Sequence, residues 1–450
     1  MTSTTTSRRS ALWAPDRRFV TLALFLLVTL AAFEGMSLGT ALPTIVADLH
    51  GESMYSWPFV AFLAASVVGT VLSGRISDRW GPVPALVVGP LLFLAGLVIA
   101  GVAQTMVVLL VGRVLQGVGS GAQVVALYVM IAQVYPERDR PAAFGVLSAA
   151  WVIPSLVGPT VAGLLTQHLS WRWVFLSLAP LVAVGVLMLT PVLRQLGIRR
   201  DSSGGDERWW LLPLAAVGAA AGLASLTWAA QHPSLGSAGV AAVALAVLVP
   251  ALRHLLPAGT LVGRPGLPMT ILSRGLIAGV FFSVEAYVPL TLSSVHGFSP
   301  AMAGLPLTLG SLGWSAASMW QARREGDPQV RIRNGFLLVA VAAVGIVVIA
   351  PDWGPPWAVV PLWLVAGAGM GLAMPSISVR TISLSADGEQ GANSAALQVC
   401  DMLGSACLIG LGGALIGALA STAHPTAAVI PFDLLMAGVA LLGAVLVSRK

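Results

Sequence analysis

Residues 19–45 have the sequence FVTLALFLLVTLAAFEGMSLGTALPTI, an apolar stretch with a single acidic residue, Glu34. A bilayer core about 30 Å thick requires roughly 20 apolar residues in a helix that crosses it, so this stretch is long enough to span a membrane. It is longer than the apolar core of a cleavable signal peptide, and many similar stretches follow it. We therefore predict that it is a retained first membrane-spanning helix.

The composition extends this prediction to the whole chain. Of its 450 residues, 57% are hydrophobic and 9% are charged, whereas about a quarter of the residues of a soluble domain are charged. The apolar stretches predict fourteen helices over 19–45, 57–74, 84–103, 106–132, 142–167, 171–193, 209–230, 236–256, 269–294, 300–321, 334–350, 356–382, 392–420 and 427–447. The predicted fold class is an all-α membrane protein with 14 transmembrane helices, in contact with the lipid bilayer.

The positions of the basic residues predict how these helices are oriented. With fourteen helices, every Lys and Arg except Arg113 and Arg172 falls on one side of the membrane. Loops that stay in the cytoplasm are enriched in Lys and Arg, so we expect both termini to be cytoplasmic and the protein to lie in the inner (cell) membrane. The net charge of +6 then reflects topology, and no nucleic-acid partner is predicted.

The two ends of the chain share features in the same order. Glu34 in the first predicted helix corresponds to Glu285 in the ninth, and GVGSG at 117–121 corresponds to GAGMG at 367–371. Such a repeat predicts two similar bundles. The predicted segments are a cytoplasmic N-terminal tail (1–18), a six-helix bundle (19–193), cytoplasmic loops with the extra helices 7 and 8 (194–268) and a second six-helix bundle (269–450).

Four short motifs follow one another in the first bundle. The first helix carries Glu34 ahead of an ALP triplet that contains Pro43. The others are GRISDRWG at 74–81, GRVLQGVGSG at 112–121 and PSLVGPTVAG at 154–163. Together they resemble the motifs of the major facilitator superfamily, and specifically of its fourteen-helix drug:proton antiporter branch. The resemblance covers nearly the whole chain and is strongest over residues 30–165.

This resemblance implies a major facilitator fold, in which two six-helix bundles and two extra linker helices leave a central cavity between the bundles. The second motif is matched by Gly74, Asp78, Arg79 and Gly81, and the fifth-helix antiporter motif by Gly158, Pro159 and Gly163, with Pro154 where the family usually has Gly. A carboxylate in the second motif can cap a neighbouring helix in one conformation and release it in the other, which makes a conformational latch. A merely solvated loop is the alternative.

Two carboxylates lie near the middle of predicted helices. An ionised side chain at that depth costs at least about 2.5 kcal/mol, so Glu34 and Glu285 are expected to face a wet or paired interior. Burial disfavours the ionised form of a carboxyl group, which allows it to load and release a proton at physiological pH. We predict that both residues couple transport to protons or contact the substrate. Pairing with a polar neighbour is the alternative for each.

Arg113 and Asp401 are the other candidates for proton coupling. Arg113 lies close to one end of its predicted helix, so its side chain could instead extend to the membrane surface. Gln116 and Gly117 share its helix face, which favours a functional role, and the resemblance implies a part in proton relay. Asp401 belongs to no motif, and a structural acid is an equal alternative.

A few aromatic residues lie away from the predicted membrane surfaces. Aromatic rings offer apolar area and cation-π attraction, which suits bulky amphipathic or cationic solutes, although ordinary packing is the alternative for each ring. The predicted substrate-binding residues are Glu34, Gln116, Trp151, Glu285, Tyr287 and Trp314.

The predicted function is secondary active transport, in which small amphipathic or cationic molecules leave the cell in exchange for protons by alternating access. The transporter is expected to be a monomer that is driven by the proton gradient without a cofactor. The alternatives are a proton-linked exporter of an endogenous lipid or peptide, or an importer of the same fold. An enzyme is not expected, because no nucleophile with a base and no metal-spaced His or Cys group occurs at a common depth.

Overall fold

Helices form the regular structure of the part of the chain that the computed structural model describes, which comprises residues 17–136, 139–196, 209–386 and 389–449. The α-helices are α1 (Arg18–Asp48), α2 (Trp57–Trp80), α3 (Val83–Gly101), α4 (Met106–Val134), α5 (Arg140–His168), α6 (Arg172–Leu176), α7 (Leu178–Leu196), α8 (Leu211–Gln231), α9 (Leu235–Leu255), α10 (Leu267–Ser294), α11 (Pro300–Ala322), α12 (Pro328–Ile346), α13 (Val359–Leu384), α14 (Gln390–Leu419) and α15 (Thr426–Ser448). The predicted tail up to residue 16 and the connection 197–208 lie outside the described residues.

These helices confirm the prediction of fourteen spans. Thirteen stretches within the described residues are long and apolar enough to cross a membrane, and α6 and α7 together form one of them. The fourteenth span is α11, whose glycines, serines and internal Pro306 lower its hydropathy. Its start is nevertheless marked in the sequence, because Ser299 caps the helix by accepting a hydrogen bond from the backbone N–H of Met302.

The chain forms two bundles with related packing. In the first, α1 packs on α5 and α7, and α4 packs on α2 and α3. In the second, α10 packs on α14 and α15, and α13 packs on α11 and α12. The described part of the chain places α8 against α2 and α14, while α9 packs chiefly on α8 and exposes most of its surface.

The two glycine pentapeptides explain the close packing of α4 and α13. Gly117 touches the backbone of α2, while Gly119 touches the backbone of α3 at Gly89. On α13, Gly367 touches α11 and Gly369 touches α12 in the same way. A methyl group at any of these positions would overlap backbone atoms of the neighbouring helix. Small residues at alternate positions therefore let one helix approach two others at once.

Because fourteen spans alternate in direction, α1 begins and α15 ends on the same side of the membrane. We call this side the terminal face and the other side the opposite face. The motif at 74–81 lies at the terminal face. The sequence predicted that the second helix ends at residue 74 and that a loop follows, and this prediction is wrong. Helix α2 continues to Trp80, and Gly81, with a φ of 78°, makes the turn that ends it. Asp78 and Arg79 therefore occupy the last helical turn.

Candidate functional site

Arg113 of α4 is the centre of a buried polar cluster in the first bundle. Its guanidinium donates through Nη1 to Glu34 Oε1 and, at 2.9 Å, to Gln116 Oε1. Its Nε donates to the carbonyl oxygen of Pro58 at 3.0 Å, and its Cζ lies 4.4 Å from the centroid of the Phe62 ring. Arg113, Glu34 and Gln116 are each at most 1% exposed. Arg113 thus joins α1, α2 and α4, and extension of its side chain to the membrane surface is excluded.

One oxygen of this cluster is unsatisfied. Glu34 Oε1 accepts from Arg113 and, at 3.4 Å, from Gln116 Nε2. Glu34 Oε2 is buried and has no hydrogen-bond partner among the described residues. Most buried polar atoms in proteins have a partner, so an orphaned carboxylate oxygen requires an explanation. A proton can bind there while Oε1 keeps its bond to Arg113.

Glu285 of α10 lies in different surroundings. It is partly exposed, and it makes no hydrogen bond or ion pair with any described residue. Phe281, one helical turn away on the same face, stacks on Trp363 at 5.0 Å and meets the edge of Trp314 at 5.7 Å, measured between ring centroids. The second bundle therefore places a carboxylate without a partner beside an aromatic cluster, which we define as Phe281, Trp314 and Trp363.

The other two aromatic candidates differ in exposure. Trp151 is 49% exposed and lies on the same face of α5 as Gly158, which packs on α1. Tyr287 is only 2% exposed, its ring stacks on Tyr55 of the first bundle, and its hydroxyl donates to the carbonyl oxygen of Ile409 at 2.6 Å. In this conformation Tyr287 is a packing residue between the bundles and does not face solvent.

The fifth-helix motif forms part of the contact between the bundles. Thr160 and Thr308 of α11 share a hydrogen bond of 2.9 Å between their Oγ1 atoms. Gly163 packs on Ala301, and Gly304 packs on the backbone of Pro159. The motif thus supplies the small residues that let α5 and α11 touch. Pro154 and Gly158 lie nearer the terminal face, where the carbonyl oxygen of Gly158 accepts from Ser37 of α1 at 3.4 Å.

A second contact between the bundles lies at the opposite face. The hydroxyl of Tyr55 donates to the carbonyl oxygen of Ala286 at 3.0 Å, and Ser56 packs on Gly413 of α14. The hydrogen bond and the ring contact that Tyr55 makes with α10, and the hydrogen bond between Thr160 and Thr308, lie in the half of the molecule next to the opposite face. The bundles are therefore sealed on that side.

The proposed latch residues lie on the other side and are not engaged. Asp78 and Arg79 are exposed, and Asp78 has no hydrogen bond or ion pair within the part of the chain described. The guanidinium of Arg79 lies 5.3 Å from the Trp80 ring and 5.7 Å from the ring of Trp209. Neither residue contacts the second bundle through these interactions.

Asp401 is paired. Its Oδ2 accepts a hydrogen bond of 2.7 Å from Arg274 Nε, and the two side chains are 16% and 18% exposed. Arg274, which the charge count assigns to the cytoplasmic side, lies inside α10 and also interacts electrostatically with Tyr128 of the first bundle. The geometry favours the alternative in which Asp401 is a structural acid.

The sequence interpretation missed Asp433 of α15. This carboxylate is 2% exposed and makes no hydrogen bond or ion pair with a described residue. The signal that could have found it is the one that singled out Glu34, namely an acidic residue inside an otherwise apolar span. Asp433 belongs to no motif, and it was overlooked for that reason.

Similar sequences are membrane transporters. An uncharacterized MFS-type transporter of Mycobacterium tuberculosis is 31% identical over 389 residues, which are 81% of this chain and 54% of that protein. The chain thus spans about half the length of this relative. A probable multidrug-efflux transporter of the same organism is 28% identical over 404 residues, which are 83% of this chain and 82% of that protein.

A solved structure shares the fold. A POT family transporter in complex with 5-aminolevulinic acid matches with a TM-score of 0.71 over 95% of this chain and 94% of that chain, at 15% sequence identity. The family model of the Major Facilitator Superfamily matches residues 24–408. The chain therefore belongs to the Major Facilitator Superfamily and is a multi-pass membrane protein.

Proposed function

We propose that this transporter exports small amphipathic or cationic molecules in exchange for protons. The observation that carries the proposal is the unpartnered carboxylate of Glu285 beside the aromatic cluster. Aromatic rings attract organic cations, and a carboxylate adds an opposite charge. A proton that neutralises Glu285 would remove this attraction, so proton and cation compete for one site. The 28% identical relative, a probable multidrug-efflux transporter, supports the export of small molecules.

The polar cluster of the first bundle provides the second element of the proposal. Protonation of Glu34 leaves the guanidinium of Arg113 without its counter-charge inside the bundle. An uncompensated buried charge is strongly unfavourable, so a conformation that gives Arg113 another partner gains population. Protonation at Glu34 would thereby bias the relative positions of α1, α2 and α4. A proton that enters the cell across 100 mV supplies about 2.3 kcal/mol from the electrical term for this cycle.

The orientation completes the mechanism. We infer from the distribution of Lys and Arg that the terminal face is cytoplasmic and that the protein lies in the cell membrane. The conformation described here is then sealed toward the outside. When the bundles close on the cytoplasmic side instead, Asp78 would meet a helix end of the second bundle and act as the latch. Alternating between these two closures moves substrate and proton in opposite directions.

The test is transport in everted membrane vesicles with ethidium, a planar amphipathic cation. We expect ethidium uptake that requires a proton gradient with the vesicle interior acidic. Glu285→Gln should reduce uptake to that of vesicles lacking the protein, whereas Glu325→Gln, which removes an exposed carboxylate between α11 and α12, should leave it unchanged. Uptake that persists without the gradient would contradict proton coupling, and full activity of Glu285→Gln would remove this residue from the site.

A further inference from the structure

Asp433 is an acid that the mechanism above does not use. It lies in the second turn of α15, roughly 10 Å along the helix from the opposite face. Its side chain is inside the protein and does not face lipid, because only 2% of the residue is exposed. The described residues offer it neither a hydrogen bond nor an ion pair. An ionised carboxylate is costly to bury without a partner, so the surroundings of Asp433 favour its protonated form.

The surroundings of Asp433 connect it to the seal between the bundles. The neighbouring Phe432 meets the ring of Tyr287 edge-on, with 5.3 Å between ring centroids. Tyr287 in turn stacks on Tyr55, whose hydroxyl donates to α10 at Ala286. One turn further along α15, the sulfur of Met436 accepts a hydrogen bond from Ser283 of α10 at 3.2 Å. The segment of α15 that holds Asp433 is therefore packed on the part of α10 that closes the opposite face.

No described charge compensates Asp433 from the helices around it. The helices packed on α15 are α10, α12 and α14. Their titratable side chains are Arg274, Glu285 and Tyr287 on α10, Arg331 and Arg333 on α12, and Cys400, Asp401 and Cys407 on α14.

The positions of these groups explain why none compensates it. Glu285 is two residues from Tyr287 and so lies about 200° around α10 from it. Arg274 is bound by Asp401, while Arg331 belongs to the first turn of α12 at the terminal face. The cationic groups are thus either paired or at the far end of the bundle.

We propose that Asp433 is a second proton-binding residue of this transporter, and that its bound proton is required for the bundles to close at the opposite face. The inference rests on the proposed coupling to protons. Loss of the proton leaves a charge that needs water or a cation. Little of either reaches it in this conformation, because only 2% of the residue is exposed. Deprotonation therefore favours the conformation in which the packing of Phe432, Tyr287 and Tyr55, and with it the seal, is opened.

The test is a distance measurement across the seal in the absence of substrate. Spin labels at Leu169→Cys and Met302→Cys, two exposed positions at the ends of α5 and α11, report the gap at the opposite face. Cys400→Ala and Cys407→Ala remove the native thiols. In lipid nanodiscs the parent should show a short distance at pH 5.5 and a second, longer one at pH 8.5. Asp433→Asn should lose the long-distance population at both pH values.

Two further variants make the outcome specific. Asp433→Glu keeps a titratable group and should retain the response to pH. Asp352→Asn removes an exposed carboxylate at the same face of the same bundle and should behave as the parent. A pH response in Asp433→Asn equal to that of the parent overturns the proposal, and so does a parent that does not respond to pH. Since no substrate is present, either result is separate from failure of ethidium transport.

Discussion

The ion pair between Arg113 and Glu34 ties three helices of the first bundle together at a single guanidinium. Taking two charges out of water is expensive, and their attraction offsets this only when the remaining donors and acceptors are also bonded. The pair meets this condition in part, because Arg113 also donates to Gln116 and to the carbonyl oxygen of Pro58, whereas Glu34 Oε2 has no partner among the described residues. The pair therefore fixes the relative positions of the three helices and adds little net stability. Removal of one partner costs far more stability than the intact pair provides.

Arg113→Gln should lower the stability of the folded protein by about 3–5 kcal/mol, because it leaves Glu34 buried without a counter-charge. The measurement is thermal unfolding of the purified protein in detergent. Arg172→Gln is the matched control, because it breaks the ion pair between Arg172 and Asp48. These two side chains are 33% and 48% exposed, so the loss of stability should be less than about 1 kcal/mol. Similar losses in the two variants would mean that burial of the Arg113 pair has no energetic consequence.

The double substitution Glu34→Gln with Arg113→Gln separates folding from coupling. It removes both charges together, so much of the lost stability should return. Ethidium export should not return, because no proton can bind at position 34. Recovery of gradient-dependent export in the double variant would show that the cluster is structural only. Unfolding and vesicle uptake, measured on the same preparations, decide between these results.

At the scale of the helix, sequence was a good guide to where spans begin and end. The apolar stretches set the lengths, and residues such as Ser299 and Gly81 set the ends. The end of α2 was misjudged because charged residues in 74–80 were taken to end the helix, although they only bring it to the membrane surface. The contacts of the pentapeptide glycines were not predictable, because they depend on which helices become neighbours in three dimensions.

Gly119→Ala should separate α4 from α3, since its methyl group would overlap backbone atoms at Phe93 and Gly89. We expect a clear fall in the midpoint of thermal unfolding and in the yield of folded protein. Gly145→Ala is the control, because a Cβ at this position of α5 meets nothing within 4 Å. There the higher helix propensity of Ala should make the change neutral or stabilising by up to about 1 kcal/mol. Equal effects at the two positions would contradict close packing at Gly119.

At the scale of the whole molecule, the candidate site was only partly accessible from sequence. Acids in apolar spans could be recognised one by one, as Glu34 and Glu285 were. The pairing of Glu34 with Arg113, which are 79 residues apart, and of Asp401 with Arg274 required the fold. The packing of Tyr287 between the bundles likewise required the fold, because its ring stacks on Tyr55, which is 232 residues away in the chain.

A disulfide across the seal should stop the transport cycle. The side chains of Thr160 and Thr308 touch, with their Oγ1 atoms 2.9 Å apart, so Thr160→Cys combined with Thr308→Cys should cross-link α5 to α11 under mild oxidation. Opening toward the opposite face requires these helices to separate, and the cross-linked protein should therefore lose ethidium export. Reduction with dithiothreitol should restore it. Each single cysteine variant, treated with the same oxidant, controls for damage by oxidation. Undiminished export by fully cross-linked protein would mean that α5 and α11 stay together throughout the cycle, and the seal would then lie elsewhere.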